Sequence, residues 1–348
     1  MKYSRVFVDT IAYEMAPIVV TSAQLEDRLA PLYQKLHIPH GQLKSLTGIE
    51  ERRWWAEGYR VTDGAIAAAS KAIAESGIHV SDIGAVVYTG VCREDFEPST
   101  ACRVAHKLGI GGPVTIHDIS NACLGIMSGI LDVANRIELG QIKAGLVVSC
   151  ESARDIVDTT IETMLEEQTM ACYARSIATL TGGSGAAAIL LTDGSLKLKT
   201  DPHQLLGGVS GSAPEHHDIC HWGLKSVGHH LYKEVMETDA VAVLRHGVDL
   251  ALETWDYIVS EYQWMVDQVD KVICHQVGES NQRNVLKAIG IAPESSYSTF
   301  RHLGNMGTVS VPITAALAQE DNFLKKGDRV AFLGIGSGLS CMMLSLLW

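Results

Sequence analysis

The chain has 348 residues, 47% of them apolar and 20% charged, so it is long enough to bury a large core. A prior of about 150 residues per domain gives two structural units, and a net charge of −12 excludes duplex nucleic acid, whose binding draws on clustered Lys and Arg. No run reaches the roughly 18 apolar residues of a membrane span, and the start MKYSRVFVDTIAYEMAP lacks the apolar core and cleavage site of a secretory leader, so a cytoplasmic protein is expected.

Short Val/Ile/Ala-rich runs follow one another along the chain: GAVVYTGV (84–91), PVTIHDI (113–119), AGLVVSC (144–150), GAAAILLT (185–192), DKVICHQV (270–277) and RVAFLGI (329–335). They read as strands buried on both faces with helix-period segments between them, the α/β pattern, although periodicity alone does not separate the shortest from buried helices. Residues 206–230 interrupt this rhythm and read as an excursion covering a site. Residues 231–267 read as one or two amphipathic helices, with Trp255, Tyr257, Tyr262 and Trp264 assigned to packing. The closing GIGSGLS (334–340) follows a buried strand, but about eight residues remain after it, too few for a dinucleotide-binding βαβ unit. A loop that offers a backbone N–H to an oxyanion fits better.

The stretch from Asn121, NACLGIMSGILDVANRIELGQIKAGLVVS, aligns without gaps on the stretch from Asn305, 184 residues later. Each runs asparagine, small residues, apolar helix, polar turn, strand, and the preceding strands correspond loosely. The expectation is two similar α/β halves, 1–195 and 196–348, packed as one unit with no linker between them.

Eight cysteines show no C-x-x-C pair and no disulfide framework, which suits buried thiols in a reducing compartment. Cys123 differs in its setting. With Ser120 or Asn121 as cap, it falls in the first turn of an apolar helix, where free N–H groups and the dipole favour a thiolate. A nucleophilic cysteine needs a histidine and an orienting polar group. His275 ends an apolar strand and Asn305 sits in the turn HLGNMG, so a duplicated fold could bring all three together. The cluster His216, His217, Cys220 and His221, with His229 and His230 nearby, matches no standard zinc spacing and reads as loop and tunnel wall.

The motifs TGIEERR (47–53), NACLG, HQVGESNQR (275–283), GNMG (304–307) and GIGSGLS resemble the thiolase superfamily, in particular β-ketoacyl synthase III-like condensing enzymes, over nearly the whole chain. VCREDFEPSTACRVAHKLG (91–109), DISNACLG and NRIELGQIKAG resemble more closely the OleA-type enzymes of bacterial long-chain olefin biosynthesis. The resemblance implies the duplicated αβαβα thiolase fold, a homodimer, acyl-CoA as substrate and no cofactor. It implies a catalytic triad of Cys123, His275 and Asn305, and an oxyanion hole from the amides of Cys123 and Ser337, with Gly336 or Gly338 as alternatives to the latter. Glu97 would cross into the other subunit's site as base, and further enzymes would reduce and dehydrate the product.

The expected reaction is a non-decarboxylative head-to-head Claisen condensation of two long-chain acyl-CoAs through an acyl-cysteine, giving a 2-alkyl-3-ketoacyl product. Without CO₂ to lose, the second substrate must surrender an α-proton, which calls for a positioned carboxylate. A decarboxylative 3-oxoacyl synthase III using a malonyl thioester is the alternative; a thioesterase or a silent thiolase-fold partner are weaker ones. Two neighbourhoods depart from the synthase III pattern: GQLKSLTGI lacks the usual arginine and tryptophan, and Ser184 stands where an aspartate is common. Arg52 and Arg53 remain phosphate candidates.

Overall fold

A computed structural model describes residues 1–228, 231–262 and 268–348. Fourteen strands are present among them: β1 (Phe7–Met15), β2 (Ile18–Thr21), β3 (Glu51–Trp54), β4 (Ile83–Thr89), β5 (Thr115–Ile119), β6 (Ala144–Glu151), β7 (Gly185–Thr192), β8 (His203–Ser212), β9 (Cys220–Gly228), β10 (Leu231–Thr238), β11 (Lys271–Cys274), β12 (Ser296–Tyr297), β13 (Arg329–Gly336) and β14 (Ser340–Leu347). Ten of them form one sheet in the order β12-β11-β13-β14-β8-β1-β7-β6-β4-β5.

That order is the duplication made visible. Five strands run outward from β1 (β1-β7-β6-β4-β5) and five from β8 (β8-β14-β13-β11-β12), with β1 and β8 antiparallel at the centre. In each half the outer strands pair in parallel and the inner ones antiparallel. The strands expected at 84–91, 113–119, 144–150, 185–192, 270–277 and 329–335 correspond to β4, β5, β6, β7, β11 and β13, with ends differing by a few residues.

Layering follows from which face each residue presents. In β4, Ala85 and Val87 join one core, together with the helices Gly125–Glu138 and Ser310–Glu320 and with Ile273, Phe332 and Leu344 from the second half. Val86 and Tyr88, on the other face, join a second core against the helices Val61–Ser76 and Thr100–Leu108. A third core packs β11, β13 and β14 against Ala240–Tyr262 and Glu279–Ala288. The period-2 alternation of strands buried on both sides thus generates helix, sheet, helix pair, sheet, helix: the αβαβα arrangement. Both central helices start just below the segments that carry Cys123 and Asn305.

Three sequence expectations need correction. Residues 231–238 are strand β10, paired with β9 in a separate antiparallel ribbon, and only 240–262 are helical. Within that helix Trp255 is core but Tyr257 is 73% exposed, so it packs nothing; Trp264 lies outside the described residues. The residues after GIGSGLS, read as too few for a helix and second strand, supply most of β14 (Ser340–Leu347), the antiparallel partner of β13, so GIGSGLS spans a hairpin turn. β8 and β14 escaped notice for different reasons. HQLLGGVSGS is rich in residues that strands disfavour, yet Gly208 is needed there because a Cβ would sit 2.6 Å from Leu344. β14 follows directly on the glycine-rich turn, which leaves no polar boundary to mark its start.

Candidate active site

Cys123 lies in a single 3-10 turn, Ala122–Leu124, ahead of the helix Gly125–Glu138. The residue before it, Ala122, is left-handed at φ 43°, a conformation that costs a residue with a Cβ about 1–2 kcal/mol and that turns the following side chain sharply out of the strand-to-helix path. Neither Ser120 nor Asn121 caps the helix, contrary to expectation: Asn121 donates through Nδ2 to Ser128 Oγ at 2.9 Å. The cap comes from the other half, where Thr308 Oγ1 accepts the Ile126 N–H at 2.7 Å. Thr308→Val keeps the shape and removes the acceptor, so it is expected to cost about 1 kcal/mol, read as a lowered thermal midpoint.

The thiol faces a cavity of about 390 Å³, lined mainly by apolar atoms. Asn305, Ser337 and Gly338 open on it, as do Glu151, Trp222 and Met236. Asn305 is held by its backbone, donating to Thr181 O at 2.9 Å and accepting from Gly183 N at 2.8 Å, and its Oδ1 takes the Gly307 N–H at 3.0 Å. Close approach is built into this turn, since a Cβ on Gly183 would fall 2.0 Å from Leu303 O. Gly336, one residue before Ser337, is so near the nucleophile's backbone that its own Cβ would lie 3.5 Å from the Cys123 amide nitrogen. Ser337 Oγ is 3.1 Å from Cys220 Sγ.

His275 sits directly after β11. Cys274 is level with Leu333 on the neighbouring β13, and the His275 amide donates to Leu333 O at 2.7 Å. The two backbones are therefore one strand spacing, about 5 Å, apart where β13 runs on toward Gly336 and Ser337. The imidazole is buried and borders a smaller cavity behind the site with Asn281 and Ile335, not the Cys123 cavity itself. Burial pulls its pKa down to about 4, which keeps the ring neutral at pH 7 and makes it a weaker proton acceptor than a free imidazole.

Cys123 overturns one expectation. Its pKa is pushed up to about 12, first by burial and then by the facing Cys220 and Glu151, although the helix start predicted a stabilised thiolate. Desolvation and a like-charged neighbour outweigh the dipole of one helix end.

Glu97 is exposed and stands outside the Cys123 cavity of its own chain. It lines a second cavity of about 910 Å³ that shares Val91, Ser120, Ser152, Ile156 and Trp222 with the first. Its loop is pinned at three points. Val91 and Cys92 donate to Glu151, Glu94 receives Arg60, Thr62 and Arg103, and Asp118 accepts the Thr100 and Ala101 N–H groups. What projects between the last two pins is the tip Asp95–Pro98, with Phe96 98% exposed.

The ribbon β9–β10 covers the cavity through Cys220, His221, Trp222 and Met236, with His217 just ahead of it; of the excursion expected at 206–230, residues 206–212 belong instead to sheet strand β8. His216 instead stacks on His246 with ring centroids 3.8 Å apart, and His229 and His230 lie outside the described residues. Arg52 cannot receive a phosphate. It is fully buried, donates to Val20 O and Ser22 Oγ, and has its pKa lowered to about 10 by burial. Arg53 is half-buried in β3, and Ser184, also buried, accepts the Ala153 N–H at 3.0 Å. Sequence reasoning missed Glu151 and Thr308; a carboxylate at the end of the wholly buried β6 was the available signal for the first.

Two family models match the chain, the thiolase N-terminal domain over residues 56–171 and the C-terminal domain of 3-oxoacyl-[acyl-carrier-protein] synthase III over residues 259–348. The acyl-CoA:acyl-CoA alkyltransferase of Shewanella oneidensis is 63% identical over the full length of both chains. The chain belongs to this alkyltransferase family of the thiolase superfamily. Within the family, the Xanthomonas campestris alkyltransferase is 34% identical over the full length of both chains. The β-ketoacyl-[acyl-carrier-protein] synthase III of Clostridium tetani stands further off, at 26% identity over 88% of this chain and 89% of its own. The crystal structure of a Cys→Ala variant of Xanthomonas campestris OleA superposes with a TM-score of 0.93 at 34% identity, covering 100% of this chain and 98% of that one. A Cys→Ser variant with bound lauric acid and lauroyl-CoA gives 0.92 at 34% identity, covering 99% and 100%. The family match bears out the thiolase-type fold.

Proposed function

We propose that this enzyme joins two long-chain acyl-CoAs head to head without decarboxylation. The observation that carries the reading is that Cys123 and Asn305 open on one largely apolar cavity beside the glycine-rich turn at Ser337. The relatives named acyl-CoA:acyl-CoA alkyltransferase, similar over the whole chain, support the same substrate class. Substituted forms of the Xanthomonas protein have been solved at a cysteine, a glutamate and a histidine, the same three residue types as Cys123, Glu97 and His275.

In the first half-reaction the Cys123 thiol passes its proton to the neutral imidazole of His275 and attacks the acyl-CoA carbonyl. The C–S bond to CoA breaks, CoA leaves as the thiol, and acyl-Cys123 remains. The amides of Cys123 and Ser337 receive the carbonyl oxygen as it becomes an oxyanion. A second acyl-CoA then loses an α-proton to Glu97, and His275 and Asn305 steady the enolate oxygen. Its α-carbon attacks the acyl-cysteine, the new C–C bond forms, the Cys123 C–S bond breaks, and the thiolate regains a proton. The product is a 2-alkyl-3-ketoacyl-CoA.

Glu97 is exposed, stands outside the cavity of its own chain's cysteine and lies beside an exposed Phe96 at the loop tip, which supports a homodimer in which each chain lends its loop tip to the other's site. A β-keto product calls for a reducing enzyme next, as in the olefin pathway. Eight free cysteines support a reducing, cytoplasmic setting, and no described helix is long and apolar enough to cross a membrane.

Purified enzyme given a long-chain acyl-CoA alone is expected to release CoA and form the 2-alkyl-3-ketoacyl-CoA, seen by mass spectrometry as such or as the β-keto acid and ketone left by its hydrolysis and subsequent loss of CO₂. Carbon–carbon bond formation only when a malonyl thioester is added, with CO₂ evolved, would replace this reading by the decarboxylative one.

A further inference from the structure

Glu151 is a carboxylate, 4% exposed, at the end of strand β6, and no step above uses it. Both oxygens are engaged. Oε1 accepts the Val91 N–H at 3.1 Å and Oε2 the Cys92 N–H at 3.2 Å, while the Thr308 N–H also bonds to the carboxylate. Two left-handed glycines let these segments close on it. A Cβ at Gly90 would lie 3.1 Å from Oε1, and one at Gly307 3.3 to 3.4 Å from the Glu151 side chain. Val91 and Cys92 begin the loop that carries Glu97. Gly307 and Thr308 follow Asn305, and Thr308 in turn caps the cysteine's helix.

We propose that Glu151 is a positioning residue for the condensation step, clamping the root of the Glu97 loop to the Asn305 turn, so that the loop tip a chain lends to its partner's site leaves from a fixed point beside its own enolate-binding turn. The assignment rests on the condensation reading above. A merely space-filling role is poorly served by an acceptor-only group taking three backbone donors, because burying a carboxylate is costly unless every oxygen is used. An amide would present one acceptor and one donor to the same N–H groups, leaving one of them opposed. The groups that titrate or carry charge around Glu151 are Tyr88, Cys92, Cys150 and Cys123, all weak acids held neutral by burial. Glu151 is the carboxylate among them that borders the cysteine's cavity; burial raises its pKa as well, opposed by Cys92 and by the Val91, Cys92 and Thr308 N–H groups, which favour the charged form.

The test compares wild type, Glu151→Gln and Glu151→Asp in three measurements: acylation of Cys123 by a long-chain acyl-CoA (intact mass), condensation turnover, and the pH profile of Cys123 alkylation by iodoacetamide. In Glu151→Gln, acylation should persist while condensation falls about 10- to 100-fold, the scale of a misplaced reacting group. The alkylation profile should move to lower pH, since a negative charge facing the thiol is gone. Glu151→Asp retains the charge on a shorter arm, so its alkylation profile should match wild type while condensation stays slow. Wild-type condensation by Glu151→Gln, or parallel loss of acylation and condensation in both variants, overturns the assignment. A wild type that does not condense acyl-CoAs would instead overturn the functional reading itself.

Discussion

The Cys123→Ala variant is expected to lose acyl transfer and condensation together, by about 10⁴-fold or more, because no other group forms the covalent intermediate. Intact-mass analysis after mixing with acyl-CoA should show an acyl adduct on wild type and none on the variant. An adduct on the alanine variant would move the nucleophile elsewhere, with Cys220 in the same cavity as the next candidate. The pKa values make the wild-type behaviour specific. A thiol raised to about 12 stays protonated as pH climbs through 7, so the free thiolate fraction there is about 10⁻⁵. Reactivity toward iodoacetamide should therefore gain about tenfold per pH unit across the neutral and mildly alkaline range. A plateau below pH 8 would contradict the burial argument. Turnover at neutral pH then depends on His275, neutral with a pKa near 4, taking the thiol proton in concert with attack on the carbonyl rather than forming a thiolate–imidazolium pair beforehand. His275→Ala should slow acylation about 10²- to 10⁴-fold.

The second large effect belongs to Glu97. Glu97→Ala should leave Cys123 acylation intact and cut condensation about 10²- to 10⁴-fold, the range for losing a general base. The α-proton of a thioester is far less acidic than the protons a thiol or imidazole exchanges, and no departing CO₂ supplies the carbanion. Glu97→Gln should behave like Glu97→Ala, since it holds the shape without the basic oxygen. Mixing experiments sharpen the prediction. If the loop tip serves the partner chain, combining Glu97→Ala with Cys123→Ala chains should restore part of the activity, because one of the two sites in a mixed dimer then holds both groups. Two inactive variants that remain inactive when mixed, under conditions where chains demonstrably exchange, would place the base in its own chain. Unchanged condensation by Glu97→Ala alone would remove the base role altogether.

Much of the fold was legible because its decisive strands are buried on both faces. Runs such as AGLVVSCE and GAAAILLT carry their burial in their composition, and the helix–turn–strand pattern recurring from Asn121 to Asn305 reported a duplication that the ten-stranded sheet displays. β8 and β10 were not legible. The first owes its place to glycines that permit close approach, and the second alternates too weakly to stand apart from a helix. The candidate triad and the base were visible as motifs, but their surroundings were not.

The sequence by itself determined which residues could do chemistry, since Cys123, His275, Asn305 and Glu97 stand in local patterns that the chain carries wherever it is folded. Only the tertiary structure decided what those residues experience. The cysteine's helix is capped by Thr308, 182 residues away from the N–H it accepts. The thiol pKa is raised rather than lowered, and the base loop is rooted on a buried carboxylate at the end of β6. The physical reason is that apolar periodicity records a segment's own burial. Desolvation, hydrogen-bond partners and charge neighbours are properties of whichever distant segments the fold brings alongside.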